Sequence, residues 1–201
     1  MAYILLIRHG EDLDNVSGIL NGHRDQPLSP KGEEQALVAA QKVRSRLAEL
    51  DLPTVAIYSS PLRRAQQTAQ AIAEKIGLPV QTEPDLIERD FGVMTGLPVA
   101  DILKLPPEDV LPTDRANYFL RADGSEDFPM LYKRARRLLT TVEQRHPDQN
   151  QVVILVAHGD IGKMIRAAFE GWSWHDGLTT PYFANTEIIE LPAAPAPDQL
   201  K

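Results

Sequence analysis

Residues 3–7 and 152–156 are apolar at every position, and residues 54–59 carry Val, Ala, Ile and Tyr between a Thr and a Ser. Branched and aromatic runs without polar alternation fit strands covered on both faces, as in a parallel sheet. Between these runs the spacing becomes helical. Ala36, Ala39, Ala40, Val43, Leu47 and Leu50 recur behind Ser29-Pro30, which reads as a hydroxyl cap with proline at the first helical position. Leu62, Ala65, Ala69, Ile72 and Ile76 form a second stripe behind Ser60-Pro61, which repeats the cap signature, and Gly77 closes it. Later helices are predicted over 128–143, with Leu131, Ala135, Leu138 and Val142 inward, and around Ile161, Ile165 and Phe169. Residues 186–191 alternate as a last strand. Strand followed by helix, repeated, predicts an open sheet with right-handed crossovers.

The pattern loosens over 84–127, where Pro98, Pro106, Pro107 and Pro112 break any long element. This stretch, with 93–127 as its centre, reads as a surface insert carrying short helices within one domain over 1–191. Residues 192–201 hold too much proline to pack and are expected to form a mobile tail.

Composition narrows the possibilities. At 201 residues, 43% hydrophobic and 24% charged, the chain can bury roughly 70% of its unfolded surface in one core without metal or disulfide. It contains no cysteine, which removes thiol nucleophiles and thiolate zinc sites and suits a cytoplasmic setting. The short apolar start has no basic leader, and no run is long enough for a bilayer. With 21 basic against 28 acidic residues the net charge is −7, which argues against nucleic acid and anionic membrane as partners. A small anionic substrate is not excluded, because one Arg at about 4 Å from a phosphate is worth roughly 4 kcal/mol at an effective dielectric of 20.

In open α/β sheets ligands bind beyond the carboxyl ends of the strands. The first run ends in Arg8 and His9, the second in Ser59, Ser60, Arg63 and Arg64, and the third in His158. Arg8-His9-Gly10-Glu11 is echoed by Ala157-His158-Gly159-Asp160, each Gly allowing a tight turn beside a ligand. A lone His is more often structural; two His-Gly pairs at strand ends, with guanidiniums beside them, suit a phosphoryl group. Other chemistries fit poorly. Gly159-Asp160-Ile161-Gly162-Lys163 has neither the spacing nor the hydroxyl of a nucleotide P-loop, no Gly-x-Ser-x-Gly elbow is present, and the five histidines lack metal-ligand spacing.

Leu6 to Glu11 with Asn15, Gly22 and Asp25 to Gly32, Ser59 to Ala65 with Thr68, Glu88-Arg89-Asp90-Phe91-Gly92 with Gly96, and Val156 to Gly159 together resemble the histidine phosphatase superfamily, the phosphoglycerate mutase-like group. The likeness runs in order from about residue 3 to 191 and is weakest between Leu97 and Gly124. It implies a three-layer α/β/α fold with a mostly parallel open sheet. It also implies that His9 becomes a phosphohistidine, that Arg8, Arg64 and a protonated His158 hold the phosphoryl oxygens, that Glu88 is the proton donor and that Asn15 lines the pocket. No cofactor or metal is implied. Read without the resemblance, Glu88 is also a possible loop carboxylate paired with Arg89, and Asp90 is an alternative donor.

Seventy positions separate Glu88 from His158. The related mutases usually carry a longer segment there, a Tyr where Phe91 stands, a Lys where Val99 stands and paired arginines where Arg115 is followed by Ala116. Fewer cations hold a bisphosphorylated intermediate less well, so hydrolysis of a small phosphorylated metabolite is the expectation. Mutase-type transfer, or a phospho-ligand or protein-binding module on the same scaffold, are the alternatives. His23, Arg24, Arg89, Arg115, Tyr118, Phe119 and Arg121 are the candidates for contact with the leaving group. Lys133, Arg134, Arg136 and Arg137 read as a solvated helix face, Arg63 as a bystander, His146 as a surface residue, and His175 as core edge or pocket wall. The sequence sets no oligomeric state.

Overall fold

A computed structural model describes residues 1–113 and 115–192. The tail expected over 192–201 therefore falls, after Pro192, outside the described residues. In chain order the elements are β1 (Tyr3–Arg8), α1 (Leu13–Ser17), α2 (Pro30–Leu50), β2 (Thr54–Ser59), α3 (Arg63–Ile76), β3 (Val80–Thr82), β4 (Val110–Pro112), β5 (Asn117–Phe119), α4 (Phe128–Arg145), β6 (Val152–Ala157), α5 (Gly159–Glu170), α6 (Trp174–Thr179) and β7 (Ile188–Leu191). Five strands form the main sheet in the order β3-β2-β6-β1-β7, parallel except for β7, which runs antiparallel along β1.

Strand alternation builds two cores from one sheet. Leu5, Ile7, Ile57, Ile154 and Val156 face α2 and α3, meeting Ala40, Val43, Ala65, Ala69 and Ile72. Ile4, Leu6, Tyr58, Val153 and Leu155 face the other way, onto Leu131, Leu138, Ile161 and Ile165 of α4 and α5. The result is a three-layer α/β/α arrangement, and every residue of β6 is buried because both faces are covered. A third cluster, Leu20, Phe91, Met94, Ile102 and Phe119, lies under the insert. The insert is built from short 3₁₀ turns at Gly92–Met94, Val99–Lys104 and Pro107–Asp109, plus the β4–β5 hairpin. Among the described residues no helix is long and apolar enough to cross a membrane.

Two sequence expectations need correction. Ser60-Pro61 does not cap α3, whose N-cap is Leu62 with no side-chain bond. The Ser60 hydroxyl instead accepts from Leu62 N at 3.2 Å and is hydrogen-bonded to Nε2 of His158 at 2.7 Å. The last strand begins at Ile188 rather than 186, because Thr186 takes the left-handed φ of +57° while its N–H donates to the Arg8 carbonyl. That conformation is rare for a β-branched residue and costs about 1–3 kcal/mol.

The loop after β1 is held against the start of α2 by two glycines. A Cβ on Gly10 would lie 2.5 Å from the Gly32 carbonyl oxygen, and one on Gly32 would overlap the carbonyl oxygen of Glu11. Both obstacles are backbone, so neither can rotate away. Gly32→Ala is expected to lower the unfolding free energy by about 1–3 kcal/mol, read as a shift in the urea midpoint at constant slope. An unchanged midpoint would mean that the two segments do not touch.

Candidate active site

β1, β6 and β2 are adjacent and parallel, with Arg8 opposite Ala157 and Ser59 opposite Val156. Their carboxyl ends therefore deliver His9, His158 and Ser60 to one place. The His9 and His158 ring centroids are 5.0 Å apart. Arg64, in the first turn of α3, donates from Nε to Nδ1 of His158 at 3.2 Å, and its Nε also lies 3.2 Å from Oδ2 of the buried Asp12. Its Nη1 and Nη2 donate to the carbonyls of Arg24 and Gly22 at 2.7 and 2.9 Å.

Hydrogen bonding sets both tautomers. The Gly10 carbonyl, 2.6 Å from Nδ1 of His9, can only accept, so the proton sits on Nδ1 and Nε2 keeps its lone pair. Arg64 Nε can only donate, so Nδ1 of His158 is the acceptor and Nε2 carries the proton toward Ser60. Burial, with Arg64 and Arg8 nearby, pushes the His9 pKa well below its ordinary 6.5, and burial with Arg64, His9 and Arg8 does the same to His158. His158 is thus a neutral imidazole here, contrary to the cationic form expected from sequence. Its burial and the adjacent guanidiniums outweigh any gain from charging it.

Arg8 donates from Nη1 to the Tyr182 hydroxyl and the Phe183 carbonyl, both at 2.6 Å. Its buried Nε has no acceptor among the described residues. Donors are seldom left this way in a folded protein. Glu88 follows a 3₁₀ turn at Pro84–Leu86 and lies at the N-terminus of α5. Its carboxylate accepts from the backbone N–H groups of Arg89, Ile161 and Asp160 at 2.9, 3.1 and 3.2 Å. His158 is the N-cap of α5 but makes no side-chain cap bond, so Glu88 satisfies the helix end in its stead. Burial, reinforced by the charge of Asp160, nevertheless raises the Glu88 pKa above its ordinary 4.5.

Arg8, Asn15, Glu88 and Gly159 border a cavity of about 160 Å³, which continues past Leu20, Asn21, Ile102, Asn117 and Tyr118 to Arg89, Asp160 and Lys163. His9, Arg64 and His158 are buried and are not among the lining residues. Asn15 closes a capping box with Asp12, and its Oδ1 also accepts from Asn185, whose amide donates to the His9 carbonyl. Burial, with Asp160 nearby, strongly raises the pKa of the Tyr118 phenol.

Of the other sequence candidates, Arg89 and Phe119 line the cavity and the rest do not. His23 is hydrogen-bonded through Nε2 to the Glu88 carbonyl at 2.8 Å and does not line the cavity. Arg24 pairs with Asp14, and Arg115 lies on a neighbouring groove beside Thr180, Tyr182 and Glu187. Arg121 pairs with Asp109. Asp90 accepts from Gly92 N and faces His23, and it does not line the cavity. Arg89 lines it but pairs with Asp160, not with Glu88. Arg134 is not on a solvated face: it is buried, forms an ion pair with Glu126 at 2.7 Å, and donates to the carbonyls of Asp85, Ile87 and Glu88. Lys133, Arg136 and Arg137 are exposed, as is His175, while His146 is half-buried against Tyr58. Ser60 was placed at the rim by its strand end, whereas Asp12, Asn21, Asp160, Lys163, Tyr182 and Asn185 were not legible as site residues. Only Asp160 and Lys163, polar positions one turn apart on an otherwise apolar helix face, left a trace in the sequence.

The family model described as "Histidine phosphatase superfamily (branch 1)" matches residues 4–197. Phosphoserine phosphatase 1 of Hydrogenobacter thermophilus is 35% identical over 158 residues, covering 79% of this chain and 71% of that protein. Phosphoglycerate mutase-like protein 4 of Arabidopsis thaliana is 34% identical over 172 residues, covering 84% and 70%. A solved mycobacterial glucosyl-3-phosphoglycerate phosphatase, in complex with VO3, superimposes with a TM-score of 0.79 at 26% identity, covering 94% of this chain and 90% of that one.

Proposed function

This chain belongs to the histidine phosphatase superfamily, and on that premise we propose that it hydrolyses small phosphomonoesters through a phosphohistidine on His9. The observation that carries the reading is the His9 tautomer: the Gly10 carbonyl fixes the proton on Nδ1 and leaves Nε2 as a free lone pair among guanidiniums. Relatives named for phosphoserine and glucosyl-3-phosphoglycerate support a small phosphorylated metabolite as substrate.

The steps balance with groups of this chain. Nε2 of His9 forms the N–P bond as the P–O bond to the alcohol breaks, and Glu88 gives its proton to the leaving oxygen. Arg8 with its unpartnered Nε, the charge of Arg64, and the Nε2–H of His158 once it turns from the Ser60 hydroxyl stabilise charge on the phosphoryl oxygens as it spreads in the transition state. Water then attacks phosphorus, Glu88 takes its proton back, and the N–P bond breaks to release phosphate. The side chains of Arg8 and Glu88 lie together beside Gly159, at the phosphoryl end of the cavity.

The ionisation states need explanation. Ordinarily a Glu at 4.5 ionises before a His at 6.5 loses its proton, so neutral His with protonated Glu would always be a minor form. Here burial moves the two toward one another, His9 down and Glu88 up, and the reactive pair becomes better populated.

Hydrolysis and transfer are told apart by product. Supplied with 3-phosphoglycerate and catalytic 2,3-bisphosphoglycerate, the enzyme is expected to release inorganic phosphate with no isomer above background. Isomerisation faster than phosphate release would make it a mutase.

A further inference from the structure

The cavity's charges tell what the phosphate is attached to. The charged groups lining the cavity or buried beside its phosphoryl corner are the cations Arg8, Arg64, Arg89 and Lys163 and the carboxyl groups of Asp12, Asp160 and Glu88, the last with its pKa raised by burial. The surplus of positive charge is therefore at most two, no more than the charge of one phosphate dianion. The outer pairs Arg24–Asp14 and Arg134–Glu126 cancel internally.

The cations beyond the phosphoryl corner are already engaged. Arg89 donates from Nε to Asp160 at 2.8 Å. Its guanidinium carbon lies 3.9, 4.3 and 5.0 Å from the ring centroids of Phe119, Phe128 and Phe91, so it is caged and cannot swing toward a ligand. The Lys163 ammonium donates to the carbonyls of Leu178 and Thr180 at 2.6 and 2.9 Å, at the end of α6. Burial has pulled its pKa down to about 8, so the site already holds this charge at a cost. The remaining wall is neutral: Leu20, Val99 and Ile102 are apolar, while Asn21, Asn117 and Tyr118 offer amide and phenol groups suited to hydroxyls.

Resting on the phosphomonoesterase reading above, we propose that the leaving group is an uncharged alcohol, and that Asp160, by neutralising the caged Arg89, makes the cavity reject a carboxylate or a second phosphate on the substrate. Beyond the phosphoryl corner held by Arg8, a further anion would have to lie beside the Asp160 carboxylate with no unpaired cation among the described lining residues to meet it. This sets the chain apart from relatives named for carboxylate-bearing substrates.

Glycerol 3-phosphate and 3-phosphoglycerate form a matched pair, alike except that a hydroxymethyl group in one is a carboxylate in the other. The native enzyme is expected to favour the glycerol ester by at least about ten-fold in kcat/KM. Both esters are also run as competitors of p-nitrophenyl phosphate, so that slow turnover still yields a ratio of inhibition constants. Asp160→Asn, which frees the Arg89 charge, is expected to shift the ratio toward 3-phosphoglycerate by at least about five-fold. Because each ratio is taken within one preparation, a smaller folded fraction cancels. Equal use of the two esters, a preference for the carboxylate by the native enzyme, or an unmoved ratio in D160N would overturn the inference. Failure of the underlying reading shows separately, as no phosphate release from p-nitrophenyl phosphate.

Discussion

Replacing His9 with Ala is expected to lower kcat/KM by at least about 10⁴-fold for every phosphomonoester, whatever its leaving group. Nothing near it can take over as nucleophile. His158 has Nδ1 occupied by Arg64 and its Nε2 proton directed at Ser60. The Ser60 hydroxyl faces an imidazole N–H rather than a free ring nitrogen, so it lacks the base an alcohol nucleophile needs. The fold should tolerate the change, since the backbone bonds of this segment survive: His9 N–H to the Ala157 carbonyl, and Asn185 Nδ2 to the His9 carbonyl. Steady-state phosphate release measures the loss. Retention of more than about one part in a hundred of native activity would remove His9 from the mechanism.

Glu88→Gln separates the proton from the nucleophile. For an alkyl ester, whose alkoxide needs a proton to leave, kcat/KM is expected to fall by about 10²–10⁴-fold. For p-nitrophenyl phosphate, whose phenolate leaves unaided, the loss should be under about ten-fold. Gln keeps a carbonyl oxygen for Arg89 N and Ile161 N, so most of the α5 cap remains. The pH profile supplies the sign. Activity needs Glu88 protonated and is lost as pH rises through its raised pKa; it needs His9 neutral and is lost as pH falls through its lowered pKa. In E88Q the alkaline limb of the alkyl-ester profile should vanish while the acid limb stays. An alkaline limb unchanged in E88Q would assign it to another group, Lys163 being the nearest candidate by its pKa of about 8.

Elements that carry their own periodicity were readable before folding. β6 is apolar throughout because it is buried on both faces, and α2 announces itself by Ser29, Pro30 and an alanine-rich stripe. Short pieces were not. α1, α6 and the β4–β5 hairpin span only a few residues each and are fixed by tertiary bonds such as the Asp12–Asn15 capping box, which leave no periodic signal. Arg134 shows the same limit in a side chain. Beside Lys133, Arg136 and Arg137 it looks like solvated charge, yet three backbone carbonyls and Glu126 draw it inside, where it braces the turn that presents Glu88.

The residues at the strand ends were legible because strand order converts sequence-distant positions into neighbours. His9 and His158 directly follow adjacent parallel strands, and Ser60 follows the strand on the other side of β6. The distal cavity was not, since its charges can be assigned only once their partners are known. Arg89 reads in the sequence as a contact for the leaving group or a partner of Glu88, and proves to pair with Asp160, seventy-one positions away.

The central claim, a covalent phosphoryl group on one imidazole nitrogen, is tested most directly by mixing enzyme with ³²P-labelled phosphomonoester and quenching within milliseconds. The account predicts a label that survives alkali, is lost in acid, maps to the peptide containing His9 and is absent from the H9A protein. An acid-stable label on Ser60, an alkali-labile one on Glu88, or turnover through many cycles with no labelled protein at any quench time would contradict it.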